Sequence, residues 1–111
     1  MVGRDAEIAV YIITNKPRGT LYTGVTSRFG TRMVQHREGV LEGFSKRYGL
    51  TRLVWFEPHD LMTVAIQREK SLKRWRRDWK ISLIEQDNPN WDDLYPQIFE
   101  WTPVPPAFNP L

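Results

Sequence analysis

A single carboxylate, Glu69, falls at a position where a helix would bury it. Ala65, Glu69 and Leu72 follow the i, i+4, i+7 spacing of one helix face, so Glu69 lies on or beside an apolar stripe. A lone carboxylate is costly to remove from water unless it is paired or bound to a cation. Two interpretations follow: Glu69 bonds an arginine at the edge of the stripe, or it is a metal ligand.

Arg32 and His36 form a second candidate pair, because residues spaced i, i+4 are neighbours on a helix surface. The guanidinium donors of an arginine match the oxygens of a phosphate, so the pair could recognise one. The alternative is an ordinary helix edge that faces solvent.

Two tyrosines, Tyr11 and Tyr22, stand in the two apolar runs on either side of a turn. They either pack at a sheet face with the hydroxyl in water, or form one wall of an active site. Whether they share a face depends on the hairpin register, since a slip of one residue reverses the answer. The spacing alone leaves both interpretations open.

A row of basic residues surrounds the Glu69 helix face and is interleaved with Trp75 and Trp79. Phosphate binding, a membrane surface or acidic partner, and a simple solvated face are all compatible with such a row. The basic residues are Lys70, Lys73, Arg74 and Arg77, with Lys46 and Arg47 added from a loop.

The elements that must position these residues can be read from the apolar periodicity. Strands are predicted over 8–14, 21–26 and 51–57, and helices over 28–38 and from 61 to about 88 with a break near 77–80. The segment 8–14 is apolar on both faces, which indicates a central strand. The order β-β-α-β-α-α predicts a small α+β domain on a three-stranded, mostly antiparallel sheet.

Turns and caps follow from individual residues. Gly19 is expected to take a positive φ in the hairpin turn, and Gly39 to end the first helix. Thr26 or Ser27 is expected to cap the first helix, and Asp60 the second. Residues 43–49 are expected to form a basic loop.

Composition limits the class of protein. The 111 residues suffice for one domain, with 41% hydrophobic and 26% charged residues, a net charge of +3 and a pI near 9.4. There is no cysteine, which excludes disulfides and thiolate metal sites. No stretch approaches the roughly 20 apolar residues of a membrane helix. We expect a cytoplasmic protein without membrane association, with one domain over 1–101 and an extended Pro-rich tail over 102–111.

From residue 8 to about 95 the chain resembles the GIY-YIG nuclease superfamily, especially its small stand-alone bacterial members. The first motif corresponds to Ala9-Val10-Tyr11 and the second to Tyr22-Thr23-Gly24. The segment N-P-N-W-D-D-L, residues 88–94, is typical of the stand-alone subgroup. The chain departs from the family pattern in having Ala9 for the first glycine and Val25-Thr26 where larger relatives often carry a lysine.

The resemblance implies a fold, an activity and a set of roles. Glu69 matches the metal-binding glutamate, for Mg²⁺ or Mn²⁺, and Arg32 the arginine that stabilises the transition state. We favour Tyr11 as general base or base relay and Tyr22 for positioning water and phosphate, with His36 as the alternative base. The candidate catalytic residues are Tyr11, Tyr22, Arg32, His36 and Glu69. The candidate nucleic-acid-binding residues are Gly24, Lys46, Arg47, Lys70, Lys73, Arg74, Arg77 and Asn88.

Three functions are compatible with these candidates. The first is a metal-dependent endonuclease that cleaves DNA, or alternatively RNA, in bacterial DNA repair or recombination. Because the sequence shows no appended DNA-binding module, selectivity for structure is expected rather than for a long sequence. The second is a nucleic-acid-binding module with little or no chemistry. The third is a protein-interaction domain that docks a partner through its Pro-rich tail.

Overall fold

The computed structural model describes residues 7–39 and 43–98. These residues form an α+β domain with the predicted order of strands and long helices, plus one short helix. None of the helices in the described residues is long and apolar enough to cross a membrane. The elements are β1 (Ala9–Thr14), β2 (Leu21–Thr26), α1 (Phe29–Glu38), α2 (Phe44–Arg47), β3 (Arg52–Pro58), α3 (Met62–Arg74) and α4 (Arg77–Asp87).

The three strands form one antiparallel sheet in the order β2-β1-β3. All six residues of β1 are buried, which confirms the prediction of a central strand. Tyr11 lies opposite Gly24, and Ile13 opposite Tyr22. Since directly paired and alternate residues point to the same face, Tyr11 and Tyr22 share one face of the sheet.

The sheet is covered on both sides, which explains why β1 is apolar throughout. On one face, Tyr11 and Ile13 pack with Phe29 and Met33 of α1. On the other face, Val10 and Ile12 belong to a cluster that includes residues of α3 and α4, namely Ala65, Leu72 and Ile84. The sheet therefore separates α1 from the α3–α4 pair. Because β2 is an edge strand, side chains from both faces of the sheet can approach one another around it.

The hairpin turn and the start of α1 differ in detail from what the sequence predicted. Arg18, not Gly19, takes the positive φ in the hairpin turn, at 56°. Arg28 is the N-cap of α1, while the Thr26 hydroxyl accepts a hydrogen bond from the Arg28 backbone N–H at 2.9 Å. Gly39 ends α1 in the left-handed conformation, as predicted, with φ 68°.

The second half of the chain contains three further corrections. Residues 44–47 form the short helix α2 where a loop was expected. Leu61 rather than Asp60 is the N-cap of α3, and no side chain bonds the helix start. The break between α3 and α4 falls at Trp75 and Arg76, slightly before the predicted position.

A C-terminal segment of the described residues is attached to the β3 edge. The backbone N–H of Leu94 donates to the carbonyl of Leu53 at 2.7 Å, and Asp93 accepts from the Leu53 N–H at 3.2 Å. The predicted Pro-rich tail and the end of the predicted domain lie outside the described residues, so both remain predictions.

Candidate active site

The pairing of Tyr11 with Gly24 sets the position of the first tyrosine. A Cβ at residue 24 would lie 2.5 Å from both Cζ and the hydroxyl oxygen of Tyr11. Only a glycine leaves room for the phenol to cross β2 at this point. Gly24 is itself buried beneath the ring, so it makes room for Tyr11, and its contact with nucleic acid stays a prediction.

Tyr11 reaches across to α1, where its hydroxyl lies 3.0 Å from Nε2 of His36. Both side chains are buried, at 1% and 7% exposure. Burial, followed by the positive charge of Arg32, lowers the pKa of His36 to about 4. The imidazole is therefore neutral near pH 7, and in this form one of its ring nitrogens is a hydrogen-bond acceptor.

Burial also raises the pKa of the Tyr11 phenol to about 12, and the neighbouring Tyr22 adds to the increase. The hydrogen bond and charge of Arg32 act in the opposite direction, and the charge of Glu69 raises the pKa further. The phenol stays protonated at neutral pH. Tyr22 completes this face with its ring centroid 6.1 Å from that of His36.

Glu69 lies on α3 between the buried residues Ala65 and Leu72, as its spacing predicted. Its side chain is 10% exposed. The carboxylate forms an ion pair with Nζ of Lys73, one helical turn further along α3, at 2.6 Å. The partner is a lysine, not the arginine that was considered. The hydrogen bond that Lys73 donates to Glu69 raises the pKa of Lys73, and the Tyr22 phenol contributes to the same increase. The end of α3 is therefore close enough to the tyrosine face for their charges to interact.

The other predicted nucleic-acid-binding residues occupy different places. Lys46 and Arg47 are exposed on α2, and Lys70 and Arg74 are exposed on α3. Arg77 donates from Nη2 to the backbone carbonyls of Arg18 and Gly19 in the hairpin turn, at 2.5 and 2.8 Å.

Asn88 belongs to the opposite edge of the sheet. Its amide Nδ2 donates to the carbonyls of Val54 and Asp92, at 3.1 and 2.9 Å, and its Oδ1 accepts from the Asp92 N–H at 2.9 Å. These bonds fix the C-terminal segment to β3, which is a structural role. The structure does not bring Asn88 together with the tyrosines.

Two residues near the site were not among the candidates. Lys80 lies one turn beyond Arg77, and its spacing from Lys73 and Arg77 would have included it in the basic row if the helix break had not been expected there. Arg68, beside Glu69 in sequence, bonds Glu57 at 3.0 Å and lies over the Trp75 ring at 5.6 Å. No spacing rule in the sequence marks Arg68.

The arrangement can be compared with known protein families. Residues 7–82 match the model of the GIY-YIG catalytic domain. The chain belongs to the GIY-YIG family. The match contains both strands of the tyrosine hairpin, α1 and the whole of α3, so the candidate catalytic residues all lie within the GIY-YIG domain.

Relatives of the chain occur in staphylococci. A UPF0213 protein of Staphylococcus saprophyticus is 31% identical over 77 residues, which cover 69% of this chain and 93% of the relative. UPF0213 proteins of Staphylococcus epidermidis and Staphylococcus aureus are 29% and 30% identical over the same length and the same shares. These names specify no activity, metal or substrate. No solved structure matches the chain significantly.

A metal ion in this candidate site would have few ligands from protein side chains. In residues 7–39 and 43–98, no group of three or more His, Asp or Glu side chains is placed to hold a metal ion together. A hard cation such as Mg²⁺ keeps several waters and is often held by one or two carboxylates. The nearly buried carboxylate of Glu69, which is paired with Lys73 in this structure, is a ligand of that kind.

Proposed function

We propose that the protein is a metal-dependent endonuclease that hydrolyses phosphodiester bonds of DNA. One observation carries the proposal: the Tyr11 hydroxyl lies 3.0 Å from Nε2 of His36, and the charges of Arg32 and Glu69 both act on the same phenol. The membership of the GIY-YIG family supports a nuclease. The metal, the substrate and the role of each residue are our own assignments.

The metal centre is assigned to Glu69. A Mg²⁺ or Mn²⁺ ion held there would polarise the phosphate and neutralise its developing charge. Arg32, beside the Tyr11 phenol, would donate to a phosphate oxygen and stabilise the added negative charge of the transition state. Tyr22 would position the attacking water on the same face of the sheet.

Proton transfer is assigned to Tyr11 and His36 acting in series. A phenolate at Tyr11 is disfavoured because its pKa is about 12. With the imidazole proton on Nδ1, His36 Nε2 accepts the phenol proton while the phenol oxygen takes one from water. As the new O–P bond forms, the bond to the 3′ oxygen breaks, and the 3′ oxygen leaves as an alkoxide that takes its proton from solvent water. Tyr11 keeps a proton of the attacking water, and the former phenol proton is then on His36. His36 is then the terminal base and Tyr11 the relay.

The substrate is expected to be selected by shape more than by sequence. The exposed basic side chains on α2 and α3 suit contacts with backbone phosphates, which carry no direct sequence information. Branched or partly single-stranded DNA is therefore the favoured substrate class, and a place in bacterial DNA repair or recombination would follow from it. RNA remains an alternative substrate.

A second function is a nucleic-acid-binding module with weak chemistry. The observation that favours it is the 2.6 Å ion pair of Glu69 with Lys73, since this ammonium group competes with a metal ion for the carboxylate.

A cleavage panel distinguishes the two functions. Purified protein is incubated with single-stranded, duplex and branched DNA and with matched RNA, each with Mg²⁺, Mn²⁺ or a chelator. A nuclease cleaves at least one substrate only when a metal is present. Salt-sensitive binding without cleavage under any condition would support the binding module and contradict the proposed function.

A further inference from the structure

Three cations flank the junction at which α3 passes into α4, and two of them act electrostatically on the third, Lys80. Lys73 lies in the last turn of α3, Arg77 begins α4, and Lys80 follows one turn later. Trp75 and Arg76 between them are extended, with ψ of 150° and 154°. Lys73, Arg77 and Lys80 are called the cationic triad below.

Arg77 is held in place without being neutralised. Its Nη2 donates to the carbonyl oxygens of Arg18 and Gly19, which fixes the guanidinium against the hairpin turn. Carbonyl oxygens satisfy hydrogen bonds but carry no net charge, so the full positive charge of Arg77 remains. In the described part of the chain, no carboxylate forms an ion pair with Arg77.

Lys80 is half-buried beside this charge and also has no carboxylate partner among the described residues. Burial lowers the pKa of Lys80, and the charges of Arg77 and Lys73 lower it further. The cations of the triad are therefore near enough to repel one another. Such a cluster is unfavourable in the isolated protein and becomes favourable once an anion lies between its members.

The nearby carboxylates are already engaged by other groups. Glu85 on α4 is bonded by the Arg18 guanidinium at 3.1 Å and by the Trp91 indole N–H at 2.7 Å. Asp78 is paired with Arg76 at 3.1 Å. Among residues 7–39 and 43–98, these contacts leave Arg77 and Lys80 as positive charges without a carboxylate partner.

The triad adjoins the candidate catalytic centre through Lys73. The Lys73 ammonium is 2.6 Å from the Glu69 carboxylate, and Tyr22 also acts on its charge. A polyanion that enters the site at Glu69 thus meets Arg77 and Lys80 next along the α3–α4 junction.

We propose that the cationic triad is a subsite for a backbone phosphate of the substrate strand, adjacent to the phosphate that is cleaved. The proposal rests on the proposed nuclease function and adds Lys80 as a binding residue. Arg77 is the fixed donor of the subsite, Lys80 supplies a second charge, and Lys73 connects the subsite with Glu69.

The test compares Lys80→Met with Lys16→Met, which removes the same charge from an exposed position in the hairpin turn. Dissociation constants for fluorescein-labelled duplex and branched DNA are measured without divalent metal over a range of salt concentrations. Lys80→Met should weaken binding roughly three- to tenfold and reduce the slope of log K against log salt by about 0.9. Lys16→Met should change neither quantity, and Lys80→Arg should restore both.

Thermal melting of the same variants is the control for loss of folding. Because Lys80 is repelled by its neighbours, Lys80→Met should melt at or above the wild-type temperature, so that weaker binding cannot come from unfolding. Unchanged binding in Lys80→Met, or an equal loss in Lys16→Met, would overturn the subsite.

The outcomes separate the subsite from the nuclease. If the wild type binds and cleaves DNA but Lys80→Met behaves like it, the subsite is wrong and the nuclease stands. If the wild type neither binds nor cleaves, both fail. Inorganic phosphate is titrated in parallel: its binding to the wild type but not to Lys80→Met, with equal DNA binding by both, would assign the triad to a free anion and overturn the strand assignment.

Discussion

Gly24→Ala should destabilise the protein through a single steric contact. The added Cβ would lie 2.5 Å from Cζ and from the hydroxyl oxygen of Tyr11, a separation at which the ring must move. Tyr11 is 1% exposed and packed against Phe29, so the ring has no free space to enter. Overpacking of this kind costs about 1–3 kcal/mol of unfolding free energy. The displaced phenol should also lose its 3.0 Å contact with His36, so activity should fall.

Gly30→Ala is the matched control because, apart from its chain neighbours and the nearby backbone of its own helix, no atom lies within 4 Å of a Cβ at that position. Gly30 is in α1, where replacing glycine by alanine stabilises a helix by roughly 0.5–1 kcal/mol. The same chemical change should therefore have opposite signs at the two sites, measured by urea unfolding.

A double-mutant cycle isolates the contact between Gly24 and Tyr11. On a Tyr11→Ala background, which removes the ring, Gly24→Ala should lose most of its cost, and the coupling energy should match the cost on the wild type. If Gly24→Ala is as stable and as active as the wild type, or if the two mutations are additive, the close approach of Gly24 to Tyr11 is refuted.

Two further predictions concern His36 and Asn88. The pKa of His36 is lowered from 6.5 to about 4, so between these pH values the unfolded chain binds the proton more strongly, and the His36 contribution to stability is lost as pH falls from 6.5 toward 4. His36→Gln should have a shallower loss of stability across that window in urea unfolding, and parallel curves would contradict the buried neutral imidazole. Asn88→Ala should cost about 2 kcal/mol or more because it removes three buried or part-buried hydrogen bonds. Its kcat per folded molecule should stay near wild type, and a selective loss of kcat would instead place Asn88 in the catalytic site.

The hairpin and the Glu69 helix could be predicted because their signals are local. The apolar run of β1 and the i, i+4, i+7 spacing around Glu69 depend only on which residues follow one another. Gly39 ended α1 as expected, because a helix end is also determined by the residues at that point. The α3–α4 break was predicted to within a few residues.

The register and the charge cluster could not be predicted, because they depend on contacts between distant residues. Tyr11 meets Gly24 only when the turn closes with the observed length, and Arg18 rather than Gly19 supplied its positive φ. The hydrogen bonds from Arg77 to the hairpin turn join residues that are 59 and 58 positions apart in the sequence. Lys80 became a candidate only when that contact placed α4 beside the site.

The metal-dependent cleavage of DNA by wild type and Glu69→Gln tests the central claim most directly. Glu38→Gln, an exposed position at the end of α1, is the control for an equal change of charge. Metal-assisted charge stabilisation contributes several kcal/mol, so Glu69→Gln should reduce the cleavage rate roughly a hundredfold or more while Glu38→Gln stays near wild type. Both variants should retain the wild-type circular dichroism spectrum. Cleavage by folded Glu69→Gln at the wild-type rate would contradict the assignment of Glu69 as the metal ligand and with it the proposed site.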